Sequence, residues 1–232
     1  TTLSPHLHVF NERVRVQGEE VSDQRLIESF EAIEAVRNDV QLNYFEYAIL
    51  AALACFNREE LDYAILEVGL GGRLDAVNIV DGDLSIITSV GIDHEEYLGS
   101  DRESIGREKA GILRNGTPLI FGEPQIPESV EQRAKELGVV TYIAGRDFQE
   151  HTDVNGWRIE VVEGAERNVY HYSRTPFVAK NNAVVALQAA VLLGISVDSK
   201  IIEDVIDFRL PGRLEVVDKV DRTWILDVAH NP

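Results

Sequence analysis

A strand that is apolar on both faces has to be covered on both faces, and this chain contains two such segments. Tyr63-Ala64-Ile65-Leu66-Glu67-Val68 is apolar apart from its glutamate and is closed by Gly69-Leu70-Gly71-Gly72; Leu84-Ser85-Ile86-Ile87-Thr88-Ser89-Val90 has the same texture. Both are expected to be buried strands of a parallel sheet. Apolar residues at helical spacing surround them. Ser22 is placed to cap a helix reaching about Val36, with Leu26, Ile27, Phe30 and Ile33 on one face. A second stripe runs through Phe45, Ala48, Ile49, Ala52, Leu53 and Phe56, with Cys55 beside it as a small core residue.

The alternation continues. A helix is predicted over residues 103–113, a strand over Leu119–Phe121, a helix from Pro127 to about Leu137, and a strand over Val139–Ile143. Between about 148 and 175 short alternating stretches separated by Asp, Asn and Gly turns predict a small antiparallel excursion. Helices resume over 181–193 and 198–207. Leu210-Pro211-Gly212-Arg213 then breaks the pattern, and Thr223–Val228 begins a new strand. The reading is an α/β fold with a doubly wound, mostly parallel sheet, and a second domain starting near the C-terminus.

Composition narrows the function. The 22 basic against 40 acidic residues leave a net charge of −18. Phosphate-backbone binding needs a basic face, and none is offered, so nucleic acid and anionic membrane are excluded as main partners. An anionic small ligand would have to be held by local Arg, Lys or a metal ion against the overall field. At 232 residues, roughly 70–75% of the unfolded chain's surface can be buried, enough for a full core. No apolar run approaches the ~20 residues of a membrane span, and the N-terminus has no signal-peptide pattern. One cysteine excludes a disulfide framework and a cysteine-based zinc site. A cytoplasmic protein is expected. There is no methionine, so a piece of a longer protein, or an incomplete record of one, is expected as well.

In open α/β sheets ligands bind beyond the carboxyl ends of the strands. Glu67 ends one predicted strand, Asp93-His94 follows the next, and Asp227 with His230 ends the last. A carboxylate in an apolar strand is costly unless paired, satisfied by loop amides, or bound to a metal. Three strand ends bearing acid or imidazole groups point to one ligand site. The glycine cluster is not a dinucleotide fingerprint, because Leu74 stands where the third glycine belongs. The residues contain neither a G-x-x-x-x-G-K-[ST] phosphate loop nor a G-x-S-x-G nucleophile elbow.

Several stretches, in order and at compatible spacing, resemble one family. They are Ser4-Pro5-His6-Leu7, Asn11-Glu12-Arg13-Val14-Arg15, Tyr44-Phe45-Glu46, Leu66 to Ala76, Asp93-His94, Arg107-Glu108-Lys109-Ala110-Gly111, Leu210-Pro211-Gly212-Arg213 and Asp227-Val228-Ala229-His230-Asn231-Pro232. Together they resemble the folylpolyglutamate synthases of the Mur ligase superfamily, above all the bacterial bifunctional dihydrofolate synthase/folylpolyglutamate synthase group. The resemblance implies ATP-dependent ligation of L-glutamate to dihydropteroate and to the γ-carboxyl of reduced folates, through an acyl phosphate. It also implies that residues 1–209 are a central ATPase domain without its N-terminal phosphate loop. Residues 210–232 would be a linker and the first strand of a C-terminal ligase domain. Such a fragment is expected to be inactive alone.

By the same resemblance Ser4, Glu67 and His94 match magnesium ligands, and Asn182, Arg213 and Asp227 match ATP-binding positions, with His230 close to the nucleotide. Magnesium prefers hard oxygen ligands, which makes His94 the least usual of its three. Asn43, Tyr44, Phe45 and Glu46, with Leu74, Asp75 and Ala76, match segments that hold the pterin. Phe45 offers a ring face, but it also begins an apolar stripe and reads equally as core. Asn43 and Val77 depart from the threonines usual there. Lys109 matches a lysine that carries a carbamate, and it is joined by His94 as an expected catalytic residue. Small-molecule substrates and a monomer are expected. A monofunctional folylpolyglutamate synthase and a non-catalytic nucleotide-binding module remain the alternatives.

Overall fold

Helix capping and a small core organise the first part of the chain. The computed structural model describes residues 1–213 and 215–227, and contacts divide the chain into two units, Thr1–Asp81 and Gly82–Pro232. In the first unit β1 (Arg15–Val16) and β2 (Glu19–Glu20) form a short antiparallel pair. Helix α1 (Asp23–Arg37) starts where the Ser22 side chain accepts the Arg25 N–H, as expected. It buries Leu26, Ser29 and Ile33, whereas Ile27 is half exposed, at the margin of the stripe that turns inward. Helix α2 (Tyr44–Phe56) buries Ala48, Ile49, Ala51, Ala52, Cys55 and Phe56. Cys55 is core, with its sulfur 3.4 Å from the Ser29 hydroxyl.

The stretch 63–68, expected as a buried strand, is not one. It is irregular, with Tyr63 and Ile65 exposed. Thr2 holds it: the Thr2 N–H donates to the Ile65 carbonyl at 2.9 Å, and the Thr2 hydroxyl accepts the Glu67 N–H at 2.9 Å. A bridge through one residue does not make the ladder that a buried strand requires.

The second unit holds the parallel sheet. Its elements begin with β3 (Ser85–Ile87), α3 (Glu95–Leu98), α4 (Arg102–Lys109), β4 (Leu119–Phe121), α5 (Glu128–Glu136) and β5 (Thr141–Ile143). The strands lie in the order β3-β4-β5, all parallel, with Ile86 opposite Ile120 and Ile120 opposite Tyr142. Leu119 and Phe121 pack with Ile105, Val130 and Ala134 of α4 and α5. Ile120, between them, packs into a second cluster with Trp157, Val184 and Leu187. Both faces of β4 are thus covered, which is why its sequence is apolar without alternation.

The antiparallel excursion is present as β6 (Gln149–Asp153), β7 (Gly156–Glu163) and β8 (Glu166–Tyr172), in that order. Trp157, Ile159 and Val161 alternate into the core. Glu160 is buried and paired with Arg158 and Arg167. Helix α6 (Lys180–Leu192) packs on β7, where the buried Gln188 amide both accepts from Val162 N–H and donates to its carbonyl, each at 2.9 Å. Helix α7 (Ser199–Asp207) is capped by Asp198 and buries Ile202 and Ile206. The expected strand at 223–228 appears as β10 (Arg222–Leu226), paired antiparallel with β9 (Glu215–Lys219); Val228 lies outside the described residues. The architecture is the expected α/β fold, with helices on both faces of a parallel sheet. Among the described residues no helix is long and apolar enough to cross a membrane.

Candidate functional site

In the first unit the N-terminal loop and the end of the 63–68 stretch meet. The Ser4 N–H donates to Glu67 Oε2 at 2.7 Å. Both residues line a small cleft together with Arg13, Phe45 and Ile49. Phe45 is half-buried on α2 and lies against Gly69; a Cβ there would sit 2.6 Å from the ring. The absence of a side chain at Gly69 therefore lets the chain pass close to the outer edge of the Phe45 ring.

The turn after Gly69 is built on Asp75. Its carboxylate accepts from the N–H groups of Gly69 at 3.0 Å, Leu70 at 2.9 Å and Val77 at 2.9 Å. Gly71 takes a φ of 68°, which the absence of a side chain permits. Leu74 is largely exposed, and Ala76 opens a short 3₁₀ turn, Ala76–Ile79. Asn43 and Glu46 cap α2 reciprocally. Tyr44, between them, stands edge-on to Phe10 with ring centres 5.8 Å apart, and the Arg13 guanidinium lies 5.3 Å from its ring centre.

In the second unit His94 adopts left-handed backbone angles, φ 50° and ψ 42°, just before α3. Its N–H donates to Asp93 Oδ1 at 2.7 Å, and its Nε2 lies 3.4 Å from Asp93 Oδ2. A left-handed histidine is uncommon and is held here by this local bond. Lys109 is the last residue of α4 and is half-buried. Burial pushes its amine below the ordinary lysine value, and the Asp93 charge opposes that shift. At the carboxyl end of β4, a Cβ on Gly122 would lie 2.3 Å from the Thr88 carbonyl, and Asn181 donates to the Gly122 carbonyl at 2.5 Å. Asn182, next to it, is exposed in the first turn of α6.

Arg213 follows Gly212, whose φ is 67°, and its N–H donates to the Leu210 carbonyl at 3.1 Å. Asp227 is exposed just beyond β10. His230 lies outside the described residues.

Among the expected metal ligands, Ser4 and Glu67 are brought together within the first unit, and His94 belongs to the second. Among the described residues no group of three or more His, Cys, Asp or Glu gathers as a metal cage. The Ser4 hydroxyl and the Glu67 carboxylate are hard oxygen donors, a set that fits magnesium where phosphate and water complete the shell. The sequence reading assigned no role to Glu12 or Arg13. Glu12 had a local signal, lying three residues after Val9 like the acid of a capping box; Arg13 lay in a motif stretch, but nothing local marked its contact with Tyr44, 31 positions away.

No family model matches the chain. Among curated proteins it is 44% identical over 230 residues to the dihydrofolate synthase/folylpolyglutamate synthase of Escherichia coli K12, covering 99% of this chain and 53% of that protein. It is 36% identical to the one of Haemophilus influenzae, covering 99% of the chain and 55% of the relative. The chain is homologous to the dihydrofolate synthase/folylpolyglutamate synthases. It spans about half the length of the curated synthases it matches.

Solved synthase structures agree. The E. coli FolC structure in complex with DHPP and ADP superposes with a TM-score of 0.91 at 42% identity, covering 99% of this chain and 55% of that one. The Yersinia pestis synthase complexed with AMPPNP and Mn ion gives 0.89 at 44% identity, covering 99% and 55%.

Proposed function

We propose that this chain serves an ATP-dependent amide ligase that joins L-glutamate to dihydropteroate and to the γ-carboxyl of reduced folates through an acyl phosphate. The observation that carries the reading is the correspondence of nearly the whole chain, at 44% identity, to synthases of that name. Structures of such synthases hold ADP with DHPP, or AMPPNP with Mn ion.

On this reading Ser4, Glu67 and His94 hold a magnesium ion, and Asn182, Arg213, Asp227 and His230 hold ATP. The metal, when bound, neutralises charge on the phosphate oxygens. Phe45 offers its ring face to the pterin, with Asn43, Tyr44 and Glu46 and the turn Leu74–Ala76 around it. Asn43, Glu46 and Asp75 act there mainly by fixing the backbone, because their polar groups are engaged in caps and in the turn. Lys109, made easier to deprotonate by burial, would add its amine to carbon dioxide and lose a proton, giving a carbamate anion that serves the metals.

Residues 1–209 act as the central ATPase domain in this proposal, and 210–232 as a linker and the first strand of a C-terminal domain. Residues 1–232 alone are expected to be inactive, since they contain no G-x-x-x-x-G-K-[ST] loop. A monomeric, cytoplasmic enzyme without nucleic-acid partners completes the proposal. The test is glutamate incorporation by the full-length gene product, with dihydropteroate and tetrahydrofolate as rival acceptors. Incorporation into both supports the bifunctional reading, incorporation into tetrahydrofolate alone the monofunctional one, and incorporation into neither overturns the proposal.

A further inference from the structure

We propose that Arg13 binds a carboxylate of the acid acceptor and so selects anionic acceptors at the Ser4–Glu67 cleft; this rests on the folate-ligase reading of that cleft. Arg13 sits beside β1 and lines the cleft with Ser4, Phe45 and Glu67. Its orientation is fixed on three sides. Nε donates to His6 Nδ1 at 2.7 Å, and the guanidinium lies 5.3 Å from the Tyr44 ring centre and 5.9 Å from that of Phe10. Two aromatic contacts and one directional bond hold the fork in place.

The remaining edge of the fork is what calls for an occupant. In a chain with 40 acidic residues, arginines such as Arg15, Arg25, Arg102, Arg167 and Arg174 each meet a carboxylate. Among the described residues Arg13 has no acidic partner, and its two terminal nitrogens have no hydrogen-bond acceptor. A guanidinium oriented by aromatic rings and presenting a paired N–H edge matches a carboxylate in two parallel bonds. The same cleft carries Glu67, whose charge repels an incoming acid. Arg13 is the cation among the cleft residues that can offset it.

The alternative is that Arg13 only braces His6 and Tyr44. Binding measurements on the full-length protein separate the two. Dihydropteroate and its carboxamide, equal in shape and differing in charge, are titrated calorimetrically into wild type, Arg13→Gln and Arg13→Lys, with folding checked by circular dichroism. The expected result is that wild type prefers the acid, and that Arg13→Gln weakens acid binding by about 10- to 100-fold, the range of a charge-assisted pair. Carboxamide binding should stay within about threefold. Arg13→Lys, which keeps the charge and loses the fork, should recover part of the preference. Equal losses for acid and carboxamide, or no loss, would overturn the carboxylate role while leaving the folate reading intact. If Arg13→Gln fails to fold, the Arg13→Lys acid-to-carboxamide ratio decides alone, an unchanged ratio being the overturning result. Wild type that binds neither compound overturns the folate reading and this inference with it.

Discussion

The backbone N–H of Ser4 lies 2.7 Å from Glu67 Oε2, a contact spanning 63 positions of sequence. The N-terminal loop is thereby pinned to the end of the 63–68 stretch, whose own N–H at Glu67 is held by the Thr2 hydroxyl. Glutamine at position 67 keeps an oxygen that can accept the Ser4 N–H, and it removes the negative charge. We therefore expect Glu67→Gln to lower the melting temperature by no more than about 2–4 °C, the shift that about 1 kcal/mol gives at this size. Manganese affinity, read by paramagnetic resonance, should fall by at least the roughly 10–100-fold that even outer-shell changes cost. Unchanged metal affinity would make Glu67 a purely structural residue.

Glu12 ties down the other side of the same loop. Its carboxylate accepts from the N–H groups of Leu7 at 2.7 Å, His8 at 2.7 Å and Val9 at 2.9 Å. These backbone bonds, led by those of Leu7 and Val9, pull its pKa from 4.5 down to about 2. A carboxyl whose pKa is depressed on folding contributes stability above its unfolded value, and that stability is lost as the pH falls through the folded one. Glu12→Gln should accordingly be less stable than wild type at pH 7. The difference should shrink between about pH 4.5 and pH 2. Denaturation midpoints across that range check it, and a gap independent of pH would refute it.

Asn43 and Glu46 close a reciprocal cap on α2: the Asn43 side chain accepts the Glu46 N–H at 3.0 Å, and the Glu46 carboxylate accepts the Asn43 N–H at 2.7 Å. Asn43→Ala should cost about 1 kcal/mol, within the 0.5–2 kcal/mol range for such caps, and Asn43→Ser should be close to neutral. Urea unfolding of the three proteins tests this. Equal stability of the alanine and serine variants would mean that the cap contributes little.

The sequence made the helices legible because caps and stripes are local: Ser22, Asn43 and Asp198 each accept an N–H three residues on. Strands were harder. The run at 119–121 was readable, because both its faces are buried, while the run at 63–68 is apolar too, apart from Glu67, and has no ladder. Apolarity reports that burial is wanted; the partner that would supply it is a long-range matter. β9 was missed for a related reason, since a hairpin of exposed residues leaves little periodicity to read. In the candidate site, motif residues such as Ser4 and Glu67 could be named from sequence. Their contact, and the Arg13–Tyr44 contact, could not, because each depends on segments distant in sequence meeting in space.

Lys109 gives the most demanding expectation. It closes α4 half-buried, with burial lowering its pKa and the Asp93 charge holding it up. A solvated helix lysine would feel neither influence strongly. If the role is a carbamate, the amine nitrogen is essential and the positive charge is not. Lys109→Ala in the full-length protein should therefore lose nearly all glutamate incorporation, with partial rescue by small carboxylates such as acetate. Lys109→Arg should be equally inactive, because a guanidinium keeps its proton throughout the working pH range and adds no carbon dioxide. A carbon-13 label from bicarbonate should give a carbamate resonance in wild type that is missing from both variants. Full activity in the arginine variant would show that charge alone suffices and would end the carbamate reading.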